Sequence, residues 1–209
     1  MSSDHLYLYG VTDATDLRFE TDAVAGAPEV RTVSHGPLSG IVSDIDTTDP
    51  ERTDEDVERH DEVLRDVLTG DGDRTVVPMR YGMAFKSGRT LKNLLREARP
   101  VLRRSLREVE GTVELGVKVL ADAEGEADRE AVREAAGRFD DASERRDDDE
   151  LFSDRLVVNR SYLVDRDDVP AFDDAVEAFR GAFGDDVVVQ YSGPWAPYSF
   201  VDVHIGVDR

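Results

Sequence analysis

Apolar residues in this chain fall into two rhythms that alternate along its length, and that alternation limits it to a mixed α and β fold. Short β-branched runs bounded by Gly or Pro read as strands, and stripes spaced three and four apart read as helices. His5 to Val11 reads as the first strand, followed by an acidic loop through Pro28. Val30 to His35 and Leu38 to Ile45 read as a hairpin around Gly36-Pro37. Thr53 is a predicted N-cap with acids in the first turn, which suits the helix dipole. Val57, His60, Val63, Leu64, Val67 and Leu68 then make one apolar stripe, stopped by Gly70. Thr75 to Met79 reads as a strand. From Gly88 a second stripe runs through Leu91, Leu94, Leu95, Ala98, Leu102, Leu106 and Val109, with Pro100 expected to bend or split the helix.

A new cycle starts after Gly111. Thr112 to Leu120 reads as a strand, Glu126 to Arg145 as a helix and Leu156 to Val164 as a strand. Asp168 to Phe183 reads as a helix, with Val187 to Ser192 and Ser199 to Ile205 as the last two strands. That order is close to the split βαβ, ferredoxin-like plan with its last loop and strand pair modified. The expectation is therefore an α+β protein of two small α+β domains, 1–110 and 111–209, the C-terminal one a modified ferredoxin-like fold. Asp140 to Asp154, with Asp147-Asp148-Asp149-Glu150 in a row, reads either as a solvated, mobile connection or as a binding tail. No internal repeat is visible.

Charge defines the solvent. The chain carries 47 acids and 26 bases, a net charge of −21, with 30 Asp among the acids and only Lys86, Lys92 and Lys118 as lysines. Excess carboxylate with scarce lysine suits a cytoplasm of concentrated salt, where ions suppress self-repulsion. At about 1 M ionic strength the Debye length is roughly 3 Å, so partner recognition must rest on apolar burial and direct contact. Counterion-release affinity for nucleic acid also collapses there. The absence of cysteine excludes disulfides, thiol catalysis and thiolate metal sites. No apolar signal region and no run near 18 apolar residues is present, so the expectation is a cytoplasmic protein without a membrane segment.

The acid excess is uneven. Residues 71–110 hold 5 acids and 10 bases, whereas residues 1–70 and 111–209 are net −12 and −14. This basic island includes Arg80, Lys86, Arg89, Lys92, Arg96, Arg99, Arg103, Arg104 and Arg107. It reads either as an interface or as a polar face pairing with the acidic helix after Thr53. Gly193-Pro194-Trp195-Ala196-Pro197-Tyr198 holds the only tryptophan. It reads either as a stiff turn presenting Trp195 and Tyr198 to a partner or as a plug in the core. Catalysis has little support. His5, His35, His60 and His204 are scattered without metal-ligand spacing, and no phosphate cradle or Gly-x-Ser-x-Gly appears. His60, on an apolar stripe, reads as a packed or capping imidazole. No cofactor and no metal are expected.

The most informative stretch is Val76-Val77-Pro78-Met79-Arg80-Tyr81-Gly82-Met83-Ala84-Phe85. Pro78 marks a strand edge or exit, and Gly82 allows a tight reversal after Arg80 and Tyr81. Taken alone it is a functional loop or an ordinary exit from a core strand. It resembles the Pro-Met-Arg-Phe/Tyr-Gly stretch of the gas vesicle protein F/L family. Leu6 to Val11, Leu38 to Ser43, Gly111 to Lys118 and Gly193 to Phe200 resemble further family stretches in the right order. Ala196 departs from the family's second proline. The resemblance implies two α+β domains and a non-enzymatic accessory role in gas vesicle assembly. Its implied partners are the hydrophobic gas vesicle shell protein and other accessory proteins, with minor incorporation into the vesicle. Arg80, Tyr81, Arg96, Arg103, Trp195 and Tyr198 are the candidate partner-binding residues. Two alternatives stay open: a small-molecule enzyme using the ferredoxin-like half, and a nucleic-acid binder using the arginine helix.

Overall fold

The computed structural model describes residues 5–70, 74–121 and 128–202. They divide into two compact units, one of residues up to Glu110 together with 196–202, the other Gly111–Trp195. The residues after Trp195 thus group with the first unit, where the sequence reading had placed them with the second.

In the first unit β1 (His5–Asp13) is the strand around which the rest is arranged. β2 (Arg18–Glu20), a 3₁₀ turn at Val24–Gly26, β3 (Glu29–His35) and β4 (Leu38–Ile45) follow. Next come α1 (Asp54–Thr69), β5 (Val77–Pro78), β6 (Ala84–Phe85), α2 (Gly88–Glu97) and α3 (Arg99–Glu108). The sheet runs β2-β3-β4-β1-β5, with β6 also paired to β1. β1 alternates leucine and tyrosine, and both faces are buried. Leu6 and Leu8 join Leu91, Leu95, Leu102 and Leu106 of α2 and α3 in one apolar cluster. Each such leucine contributes about 1.5–3 kcal/mol on full burial. Tyr7 and Tyr9 point the other way, toward α1. Register shifts between Leu8 and Gly10, and a Cβ on Gly10 would come within 2.9 Å of Leu64 Cδ2 and of the Val77 carbonyl oxygen. Only glycine lets α1 and β5 lie this close to β1.

Local signals act where they were expected. Thr53 Oγ1 accepts the Asp56 amide at 3.1 Å and caps α1. Pro100 splits the second stripe into α2 and α3, which meet at Ala98. The expected acidic loop after Val11 is shorter than drawn, because β2 pairs with β3 inside it.

The second unit contains β7 (Thr112–Ala121), α4 (Arg129–Ala135), α5 (Arg138–Asp141) and β8 (Arg145–Asp148). It continues with β9 (Leu156–Asp165), α6 (Val169–Phe183) and β10 (Val187–Trp195). Its antiparallel sheet runs β10-β7-β9-β8. Phe139, Tyr162, Phe172 and Phe179 pack between sheet and helices with ring centroids 5.2–5.9 Å apart.

Two sequence expectations fail here. The helix expected through Arg145 breaks at Gly137 into α4 and α5, and the chain then turns into β8. Arg145–Asp148, within the stretch expected to be a mobile connection, is therefore an edge strand. Its charges are compensated within the sheet and beside it: Arg146 binds Asp140 at 2.7 Å and Asp148 at 3.0 Å, and Arg160 binds Asp148 at 2.7 Å. Charged side chains on an edge also discourage pairing with another sheet. The last expected strand is absent at its start: Tyr198–Phe200 is a 3₁₀ turn in which Phe200 is buried. Residues 203–205 of that expectation, including His204, lie outside the described residues.

Candidate functional site

The loop after β5 is held from beneath by a buried polar and aromatic centre. Helical spacing along α1 turns His60 into the sheet, where it is 2% exposed. Its Nε2 lies 3.0 Å from the Met79 carbonyl oxygen, which can only accept, so Nε2 carries the proton. Nδ1 then accepts the Tyr7 hydroxyl at 2.8 Å. The same Tyr7 oxygen accepts the Gly82 amide at 3.2 Å. Met79 N–H donates to the Tyr9 carbonyl and Leu8 N–H to the Met83 carbonyl, both at 2.8 Å. Every residue from Met79 to Met83 except Arg80 is therefore tied to β1, to α1 or, through Tyr81, to the chain at Glu51. Gly82 sits at φ +93°, a conformation that side chains oppose.

Burial sets the charge states in this centre. It pushes His60 down to about 4, so the imidazole is neutral at pH 7. It raises Tyr7 far above its ordinary value and pushes Tyr9 up to about 12. Tyr9 donates to or accepts from Ser43 Oγ at 2.8 Å and accepts the Val24 amide at 3.2 Å. Both nitrogens of His60 are engaged inside the protein, so the imidazole offers no free nitrogen for acid–base work.

Tyr81 and Tyr198 are the two expected residues that this centre brings together. Their rings lie 6.0 and 6.4 Å from the His60 ring. Tyr81 is half-buried, donates to the Glu51 carbonyl at 2.7 Å and carries the Arg52 guanidinium 5.7 Å from its ring centre. Tyr198 donates to Asp61 Oδ1 at 2.8 Å. Arg80 is exposed beside Tyr81.

Arg96 and Arg103 do not join them. Both are exposed on α2 and α3, which cover the leucine face of the sheet, whereas Tyr81 belongs with α1 and the tyrosine face. The basic island is thus two surfaces: α2 and α3 lie on the leucine face, and the Arg80-Tyr81 loop lies with α1 on the tyrosine face. Arg96 pairs with Glu97 at 3.4 Å, and Arg104 with Glu108 at 3.3 Å. Trp195 lies in the second unit at the end of β10, half-buried, and its Nε1 donates to Ser192 Oγ at 3.2 Å. It is neither a fully presented aromatic nor a fully buried plug. Sequence reasoning missed Tyr7 as the partner of His60; the available signal was two tyrosines at i and i+2 on a strand whose other positions are leucine. Among the described residues no group of three or more His, Cys, Asp or Glu is placed to hold a metal ion, and no helix is long and apolar enough to cross a membrane.

The family model described as gas vesicle synthesis protein GvpL/GvpF matches residues 5–148 and 124–202. The chain belongs to this gas vesicle protein family. It is 56% identical over 208 residues to gas vesicle protein F of Haloferax mediterranei, covering 99% of this chain and 98% of that one. To gas vesicle protein F1 of Halobacterium salinarum it is 50% identical, covering 99% and 97%. To gas vesicle protein L of a Streptomyces species identity falls to 27%, covering 97% and 95%. The crystal structure of gas vesicle protein GvpF from an Anabaena species superposes with a TM-score of 0.85 at 17% identity, covering 99% of this chain and 100% of that one. That likeness carries the α+β fold across a wide sequence distance. The halophilic archaeal source of two of these relatives agrees with the concentrated salt expected from the acid-rich, lysine-poor composition.

Proposed function

We propose that this chain is a non-enzymatic accessory protein of gas vesicle assembly, acting in the cytoplasm and retained in small amounts with the vesicle. It binds the hydrophobic gas vesicle shell protein, together with other accessory proteins, during vesicle nucleation. Its physical role is to cover apolar surface that would otherwise aggregate by edge pairing until the subunit joins the wall. The observation that carries this reading is the near-complete, 56% identical relation to a gas vesicle protein F.

For the contact surface we take the Arg80-Tyr81 loop. What supports it is the combination of an exposed arginine and a half-buried tyrosine on a loop braced at Met79 and Gly82 by His60 and Tyr7. A braced loop loses little conformational entropy on binding. Arg96, Arg103 and Trp195 form separate surfaces for other accessory partners in this reading. The second unit is read as a modified ferredoxin-like domain, supported by its β-α-β-β-α-β order, with α4 and α5 in the first helical place and a β10-β7-β9-β8 sheet.

The test is a pull-down of purified shell protein in about 2 M KCl, where steering by charge is screened. Replacing Arg80 and Tyr81 together by alanine should lower capture about tenfold relative to the native chain. Unchanged capture removes this loop from the interface, and no capture by the native chain removes the shell protein as partner.

A further inference from the structure

Among the described residues three large hydrophobic side chains are exposed: Phe152 at 74%, Leu151 at 49% and Val188 at 48%. All three belong to the second unit, and its topology collects them. Tyr191 stacks on Phe172 at 5.9 Å on the helix-covered face of the sheet. Alternation along β10 therefore turns Val188 and Gln190 to the opposite face. Val188 lies opposite Leu120 and Gln190 opposite Lys118 in the β10–β7 register. Lys118 Nζ stands 5.6 Å from the centre of the Phe152 ring. Phe152, Lys118, Leu120 and Val188 thus share the face that the helices leave open.

The segment carrying Leu151 and Phe152 is anchored on both sides. Asn159 Nδ2 donates to the Glu150 carbonyl and Asp149 N–H to the Asn159 carbonyl, each at 2.9 Å. Leu156 N–H donates to the Ser153 carbonyl at 3.0 Å. A loose tail could fold a phenylalanine back onto the protein. This anchored one holds it outward.

We propose that this face is a docking surface for another protein, which contributes an apolar segment flanked by lysine or arginine. The apolar residues select the centre of the occupant, and the rim selects its flanks. Asp147, Asp149, Glu150 and Asp154 border the hydrophobic pair and outnumber the cations Lys118 and Arg155 beside it. A second copy of this chain, at net −21, would set like charge against that rim. This face shares no residue with the Arg80-Tyr81 loop, so the two are tested independently.

Fluorescent peptides and the full-length chain provide the test, by anisotropy at about 0.5 M and about 2 M KCl. The probe has a leucine-rich core and lysine flanks; controls carry the same core with aspartate flanks, or a serine-glycine core with lysine flanks. The lysine-flanked apolar probe should bind at least about tenfold tighter than either control at the lower salt, with the preference over aspartate flanks shrinking at the higher salt. Leu151→Ser with Phe152→Ser should weaken it about tenfold, as should Val188→Ser from the neighbouring strand, while Arg80→Ala leaves it unchanged. No binding by that probe, equal binding by the serine variants, or preference for aspartate flanks overturns the proposal. A dimer in sedimentation that Phe152→Ser abolishes assigns the face to a second copy and also overturns it.

Discussion

The two units fill their centres with aromatic rings on opposite principles. In the first, Tyr7, Tyr9 and His60 lie within 4.8–5.6 Å of one another, and each polar atom has a stated partner. In the second, Phe139, Phe172 and Phe179 pack with Tyr162 by shape. A hydrogen-bonded centre is directional: it fixes where one loop sits relative to one strand, and leaving one group unpaired is expensive. A centre of phenylalanine is tolerant of exchange but sensitive to lost volume. The loop with the proposed function rests on the directional centre.

The largest effect should come from emptying the shape-filled centre. Phe172→Ala is expected to cost about 3–5 kcal/mol in denaturant unfolding. A loss below about 1 kcal/mol would mean that α6 collapses into the gap and that the contrast between units is weaker than drawn.

Acid should act next, and through the first unit. Folded His60 titrates near 4 against an ordinary 6.5, so between those values the unfolded chain binds a proton that the folded chain does not. The His60 contribution to stability therefore falls as pH drops through 6.5 and levels off below 4. At pH 5 this loss is about 2 kcal/mol relative to pH 7.5. Comparing native and His60→Gln chains at both values cancels the carboxylates common to each; an identical pH dependence in the two would remove His60 as a source of acid sensitivity.

Smaller again is Tyr7→Phe, which keeps the ring but strands His60 Nδ1 and the Gly82 amide, at about 1–3 kcal/mol by thermal or chemical unfolding. Hydrogen exchange at Gly82 should rise with it, since that amide loses its acceptor. Smallest is Thr53→Ala, about 1 kcal/mol for the lost cap on α1. If the Tyr7–His60 pair positions α1, the cap variant should leave exchange at Gly82 unaltered.

Features set by neighbouring residues could be read from the sequence, and features set by distant ones could not. The Thr53 cap, the Gly36-Pro37 hairpin and the break at Pro100 each depend on a few adjacent side chains. The helix expected to reach Arg145 failed because tertiary pairing of Arg146 and Arg160 with Asp148 made a strand of a charge run. Tyr7 and His60 are 53 positions apart, and nothing local announces that they meet. Arg96 and Arg103 looked contiguous with Tyr81 because sequence distance hides which side of a sheet a helix covers.

The first unit is interrupted in sequence by the whole of the second. Buried Phe200, Val201 on the leucine cluster and Tyr198 on Asp61 are all translated after residue 195. A nascent chain leaving the ribosome must therefore hold its amino-terminal half unfinished until the second unit and the residues just after it have been translated. By the same logic a fragment cut at Glu110 is a truncated body lacking its last wedge, and excising 111–195 with a short bridge is the way to isolate that body intact.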